Sequence, residues 1–383
     1  MRYSDFKLVE SKQHIINEAA RIDHAEDIIF WEGSKGAVRA IESLKSLEQG
    51  AHSNVTIKWD GSPAVIFGRN EDGEFVFTDK SGFSAKGYDG KATSADALQQ
   101  MLMNRPGYAK NPEGYGGLVS NMTSAYKAFE KAVSKDFRGY LKGDMLYFES
   151  PGLEEDAFVF TPNIVTYTVK ANSDVGQQIK ASSCGIVIHR LVDEAGAERS
   201  LAGDEVQRII TGTDVLVLPP VTVQQPPAID NSSITALKTI VSKNGTAIDS
   251  ILDSQKLEQM KVKDLPKIFY AYVNSKVDTG MSGLAKDFIA WLKGSKVSAP
   301  KQQKIIDLIN SNVAGYNAIW QTVEGIMKVK DDVINQLENQ EADIKASIKG
   351  EQGGEGYVLA HPEGDIKLVP REYFSKANRA VER

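Results

Sequence analysis

With 383 residues, 41% of them hydrophobic and 25% charged, the chain can bury a large core and divide into about two domains. Its one cysteine, Cys184, excludes an internal disulfide framework and a cysteine-based zinc site and fits a reducing compartment, and its five histidines are scattered. There is no apolar run long enough to span a bilayer and no basic-then-apolar leader, so a cytoplasmic monomer without a membrane partner is expected; net charge is −6, yet residues 231–350 carry 16 Lys against 13 Asp plus Glu, so a local basic surface is available to a polyanion.

Residues 1–50 read as helical. His14 to Arg21 is a short amphipathic run, and Lys35 to Glu48 places Val38, Ile41, Leu44 and Leu47 at helical spacing before Gly50. Ile28 to Trp31 reads as core, and His24, Glu26 and Asp27 as a solvated loop with a helix cap. Residues 51–90 read as a β-meander. Val55, Ile57 and Trp59 alternate with Thr56, Lys58 and Asp60; Gly61-Ser62-Pro63 turns the chain into Ala64 to Phe67; Asn70 to Gly73 is a hairpin turn before Glu74 to Thr78. Lys80, Lys86 and Gly87 follow in a loop that suits a phosphate contact or a plain surface equally. Ala95 to Met103 and Val119 to Val133 read as helices around a loop from Pro106 to Gly117.

Tyr140 to Glu149 reads as a strand with Asp144, Leu146 and Phe148 on one face, and Cys184 to His189 as a short central strand. Doubled prolines, Pro219-Pro220 and Pro226-Pro227, mark a boundary. The pattern is then helical from Ile234 to Ile348, with apolar stripes such as Leu265, Ile268, Phe269 and Tyr272. A terminal hairpin closes the chain. A three-residue loop, Pro362-Glu363-Gly364, would pair Leu359 with Lys367 and set Glu355 and Lys367 on one face.

A strand lysine with a carboxylate two residues on is a candidate covalent nucleophile, provided burial or a nearby cation lowers its pKa. Lys58 and Asp60 have that spacing. In order the chain then offers Leu141-Lys142-Gly143-Asp144-Met145, the Cys184 to His189 strand, Glu355-Gly356-Tyr357-Val358 and Ile366-Lys367-Leu368. Together with Lys58-Trp59-Asp60-Gly61, this series resembles the covalent nucleotidyltransferase superfamily: ATP-dependent DNA ligases, RNA ligases and capping enzymes. Phage-encoded members look most similar, including the tail from Val369 to Asn378. The resemblance covers roughly residues 50–190 and 350–380.

The resemblance implies an α+β fold: an antiparallel-sheet adenylyltransferase domain (an ATP-grasp-like ligase) with an inserted α-helical domain. On that division residues 1–218 and 350–383 form the nucleotidyltransferase and 231–349 the insertion, a candidate nucleic-acid-binding module. Lys58 would attack the α-phosphorus of ATP and carry AMP. Glu355, with Asp60, would hold Mg²⁺ or Mn²⁺, and Lys367 would contact the α-phosphate. Asp144 would lie near the ribose, where the family usually has glutamate. Ile186 and Ile188 would wall the adenine, and Lys80 would be a weaker ribose or phosphate contact. Thr56, Ile57 and Gly61 would line the nucleotide. The implied activity is ATP-dependent sealing of polynucleotide ends, RNA before DNA. The alternatives are an ATP-binding protein of this fold that does not ligate, and a DNA ligase without the usual OB-fold. Ser62-Pro63 after the first motif and Asp365 in the last depart from the family pattern. Only 14 residues follow Val369, so no C-terminal OB-fold is expected.

Overall fold

The computed structural model describes residues 23–51, 55–201, 203–218, 225–276, 280, 283–339, 343–359, 361 and 363–371. The run expected at His14–Arg21, the pair Pro219-Pro220 and the tail from Glu372 to Asn378 lie outside them. The architecture is α+β, with antiparallel-rich sheets set against helices.

The largest sheet has six strands, five of them in the order Glu198–Ser200, Cys184–Val192, Gly139–Tyr147, Ala64–Arg69 and Phe75–Asp79, each antiparallel to its neighbour. Val215–Leu218 adds to Cys184–Val192 in parallel. Strand alternation sends Val65, Phe67, Leu141, Met145, Ile186 and Ile188 to one face, where the helices Ala95–Met103 and Pro112–Ala132 cover them. Phe129 seals that layer, with its ring 4.7 Å from Phe67 and 4.8 Å from Phe77. The loop expected at Pro106–Gly117 is instead helical, Pro106–Lys110 followed by the start of Pro112–Ala132. Each proline opens its helix, where a missing N–H costs nothing, and Asn111 caps the second by accepting from the Gly114 N–H at 3.0 Å.

A second sheet, in the order Asp23–His24, Ile366–Leu368, Tyr357–Leu359 and Val55–Ile57, joins the two ends of the described chain. A third runs Glu351–Gln352, Ile344–Ile348, Thr166–Lys170, Ala157–Phe160 and Leu153–Glu154, and packs on Trp59 and Leu146.

The helices from Asn231–Leu252 to Val313–Glu338 share one core with the helix Ile28–Ser46 and with Val55, Leu359, Ile366 and Leu368. The helical module therefore backs the second sheet, and the N-terminal helix belongs to it and not to the sheet domain. The helical pattern expected as far as Ile348 also stops short. The module ends at Glu338, because Ile344–Ile348 pairs antiparallel with Thr166–Lys170. The aromatic stripe behaves as read, with Leu265, Phe269 and Tyr272 fully buried, but Trp31 is 36% exposed.

Residues 24–27 differ most from expectation. Glu26 and Asp27 are fully buried. Buried Lys330 reaches Glu26 at 2.8 Å, and Arg371, just past the last strand, pairs with Glu26 at 3.2 Å and with Asp27. Charges are left in a core only when paired in this way.

Candidate nucleotidyl-transfer site

Lys58 follows directly on the edge strand Val55–Ile57, and its N–H extends the ladder by donating to the Gly356 carbonyl at 2.8 Å. Thr56 pairs with Val358 and Val358 with Lys367. Directly paired residues share a face, so Thr56, Val358 and Lys367 form a row that Lys58, two residues past Thr56, continues. Ile57 points the other way, into the core around Trp59. The expected register is corrected by one residue: Leu359 pairs with Ile366, not Lys367; Pro362 of the expected loop lies outside the described residues. Plain alternation would then turn Glu355 away from this face. Gly356, at φ +97°, twists the chain and brings the Glu355 carboxylate onto the Lys58 ammonium.

The opposing wall comes from the large sheet. Gly61 lies so close to it that a Cβ there would sit 2.7 Å from Asp144 Cβ, and Ser62 N–H bonds the Met145 carbonyl at 2.8 Å. The Asp144 carboxylate accepts from His189 Nε2–H at 2.9 Å, in the imidazole tautomer that carries its proton there. His189 is the extra residue where the ladder slips from Lys142–Arg190 to Gly143–Ile188, a bulge that re-aims its side chain. Lys142, on the Asp144 face, pairs with Glu198 at 2.5 Å, and Arg190 reaches across to Asp365 at 3.4 Å.

Several expected roles change. Ile186 and Ile188 are buried beneath the helices, on the face opposite Asp144, so neither can wall a ligand in this cleft. On the Asp144 face Val187 is buried in the core around Trp59, and the residues that strand leaves accessible are His189 and Arg190. Asp60, expected to share the metal with Glu355, is engaged as an anchor. Its carboxylate accepts from Asn163 Nδ2 at 3.0 Å, Ile164 N at 2.8 Å and Val165 N at 3.1 Å, which locks the Lys58 loop to the third sheet. Lys80 is exposed on a four-residue helix and makes no ion pair among the described residues. The sequence alone does not single out His189, Lys142, Arg190 or Glu198 as site residues. Lys142 and His189 did leave a trace, as polar residues in otherwise apolar strand runs.

Burial pushes the Lys58 amine down from 10.5 to about 8, and the Lys367 charge adds to it, while Asp144 and Asp60 oppose. Contact with Glu355 also favours the ammonium, so withdrawing Glu355 frees the amine. Among the described residues no group of three or more His, Cys, Asp or Glu side chains could by itself hold a metal ion. Glu355 and Asp144 are the carboxylates beside Lys58 that could contribute to a divalent-cation site.

No helix among the described residues is long and apolar enough to cross a membrane. No curated protein and no solved structure matches the chain. The model of a family of unknown function, DUF6267, matches residues 19–383, and the chain belongs to that family.

Proposed function

We propose that the protein is an ATP-dependent adenylyltransferase that seals polynucleotide ends, with Lys58 as nucleophile. One observation carries the reading. Lys58 and, about 300 positions later in sequence, Glu355 and Lys367 come together at three consecutive strands of one sheet, Lys58 just after the first, Glu355 just before the second and Lys367 in the third, and there the Lys58 amine is depressed to about 8. A lysine becomes a nucleophile by such desolvation beside another cation.

In the first step the Lys58 lone pair attacks the α-phosphorus of ATP. An N–P bond forms, the bond from the α-phosphorus to the bridging oxygen breaks, pyrophosphate leaves, and one amine proton passes to solvent. A 5′-phosphate oxygen then bonds to the α-phosphorus, the N–P bond breaks and Lys58 regains a proton; the 3′-hydroxyl oxygen, losing its proton to solvent, bonds to the 5′-phosphorus, the bond from that phosphorus to the AMP oxygen breaks, and AMP leaves. Lys367, on the Lys58 face, offsets charge on the α-phosphate; Lys142 and Arg190 line the opposite wall. A bound Mg²⁺, held through Glu355 and phosphate oxygens, would supply charge neutralisation.

The test is incubation with ATP labelled in the α-phosphate and Mg²⁺. Label is expected on the chain and is lost in Lys58→Ala; a wild-type chain that takes up no label overturns the reading. A second reading has its own observation. Asp365 ties up Arg190, and Glu355 ties up Lys58, so the cleft is neutralised from within. That suits a protein that binds ATP without transferring it. Calorimetric ATP binding with no covalent label selects this second reading.

A further inference from the structure

The cations that face the cleft are largely spoken for: Lys58 by Glu355, Lys142 by Glu198 and Arg190 by Asp365. The surplus positive charge of this acidic chain lies elsewhere. Between residues 254 and 304 there are ten Lys against four Asp plus Glu, a net of +6, which leaves −12 on the rest of a chain of net charge −6.

The fold gathers that surplus. Lys301, in the first turn of the helix Ala299–Ser311, pairs with Asp264 at 2.6 Å, and Lys304 donates to the Met260 carbonyl at 3.1 Å. These contacts set the start of Ala299–Ser311 beside the 260–264 turn and the start of Leu265–Ser275. Neither helix start is closed by a side-chain cap, so two positive dipole ends add to the lysines. Lys261, Lys263, Lys267 and Lys296 are exposed around this joint, and none has a carboxylate partner among the described residues. An ordinary solvated face balances the two signs of charge; here Asp264 is taken up by Lys301 and Glu258 stands against four further exposed lysines, so the excess is positive.

We infer that this end of the helical module is a docking surface for a polynucleotide backbone. Phosphates at regular spacing match several unpaired ammonium groups on a rigid scaffold, and each contact releases counterions. The surface deepens the proposed function and rests on it for its link to end sealing, although the charge argument stands apart from Lys58.

The test uses the full chain. Anisotropy of a labelled 20-nucleotide single-stranded RNA and of a matched DNA duplex is followed between 50 and 200 mM salt. The comparison is with the combined variant Lys261→Gln, Lys263→Gln, Lys267→Gln and Lys296→Gln. Tenfold or greater weakening is expected, with the slope of log affinity on log salt reduced by about 3, since each lost phosphate contact removes roughly 0.7–0.9. Melting temperature and AMP labelling of Lys58 should not move. The ratio of RNA to duplex affinity tells which polynucleotide is preferred. Unchanged affinity and slope overturn the inference, as does a wild-type chain that binds anionic vesicles but neither polynucleotide. If Lys58 takes no AMP and the lysine variant still loses binding, the proposed function fails and this surface stands.

Discussion

Lys58 owes its reactivity to its seat. With its amine at about 8, roughly one molecule in ten carries the neutral form at pH 7, about 300-fold more than at the ordinary value of 10.5. Because the folded chain holds fewer protons than the unfolded chain between pH 8 and 10.5, this lysine makes stability rise with pH across that window and costs stability below it. Glu355 limits the cost by pairing with the ammonium. Glu355→Gln is therefore expected to lower the midpoint of Lys58 modification by an amine reagent, followed by mass spectrometry from pH 6 to 10, by on the order of one pH unit. A midpoint at or above the wild-type value would show that the carboxylate does not govern the amine.

At the scale of elements, the terminal hairpin shows what a sequence can and cannot announce. Alternation in Val55–Ile57 and the Ile366–Leu368 run was enough to place strands. Turn statistics favoured a three-residue loop, but the observed register is one residue off, because long-range pairing with Val55–Ile57 and Asp23–His24 overrides the local preference. Glu355 meets Lys58 only through the left-handed Gly356, a backbone event that side-chain periodicity does not encode. The face that Ile186 and Ile188 occupy is hidden in the sequence for a related reason. An apolar strand buried on both sides gives no sign of which face is which, and the bulge at His189 is invisible before pairing is known. Gly356→Ala follows directly. A Cβ there meets the Leu368 carbonyl and Val369, and the residue must keep φ +97°, so a loss of about 2–4 kcal/mol is expected in urea unfolding. The Lys58 midpoint should shift with it, as Glu355 swings away. Unchanged stability would mean that the hairpin tolerates a different register.

Across the whole molecule, the helical module and the Lys58 sheet are joined by buried charge. Lys330 comes from the helix Val313–Glu338, Glu26 and Asp27 follow the strand beside Lys367, and Arg371 follows the strand that carries it. Removing one partner from such a cluster strands another, whereas uniform apolar replacement need not cost stability. Asp27 gives this cluster a pH signature. Burial and the neighbouring Glu26 charge raise its carboxyl to about 7, against the pull of Arg371. The folded chain thus keeps a proton that the unfolded chain releases near pH 4, so Asp27's contribution is present below pH 4 and is lost as pH climbs to 7. His24, pushed well below 6.5 by burial, acts in the opposite sense and blurs the wild-type profile. Asp27→Asn removes the first effect alone. Relative to the wild type, the variant is expected to gain about 2 kcal/mol of unfolding free energy between pH 5 and pH 7.5 in urea titrations. A difference between the two proteins that stays constant over that range would mean that Asp27 is ionised throughout and that Arg371 dominates its surroundings.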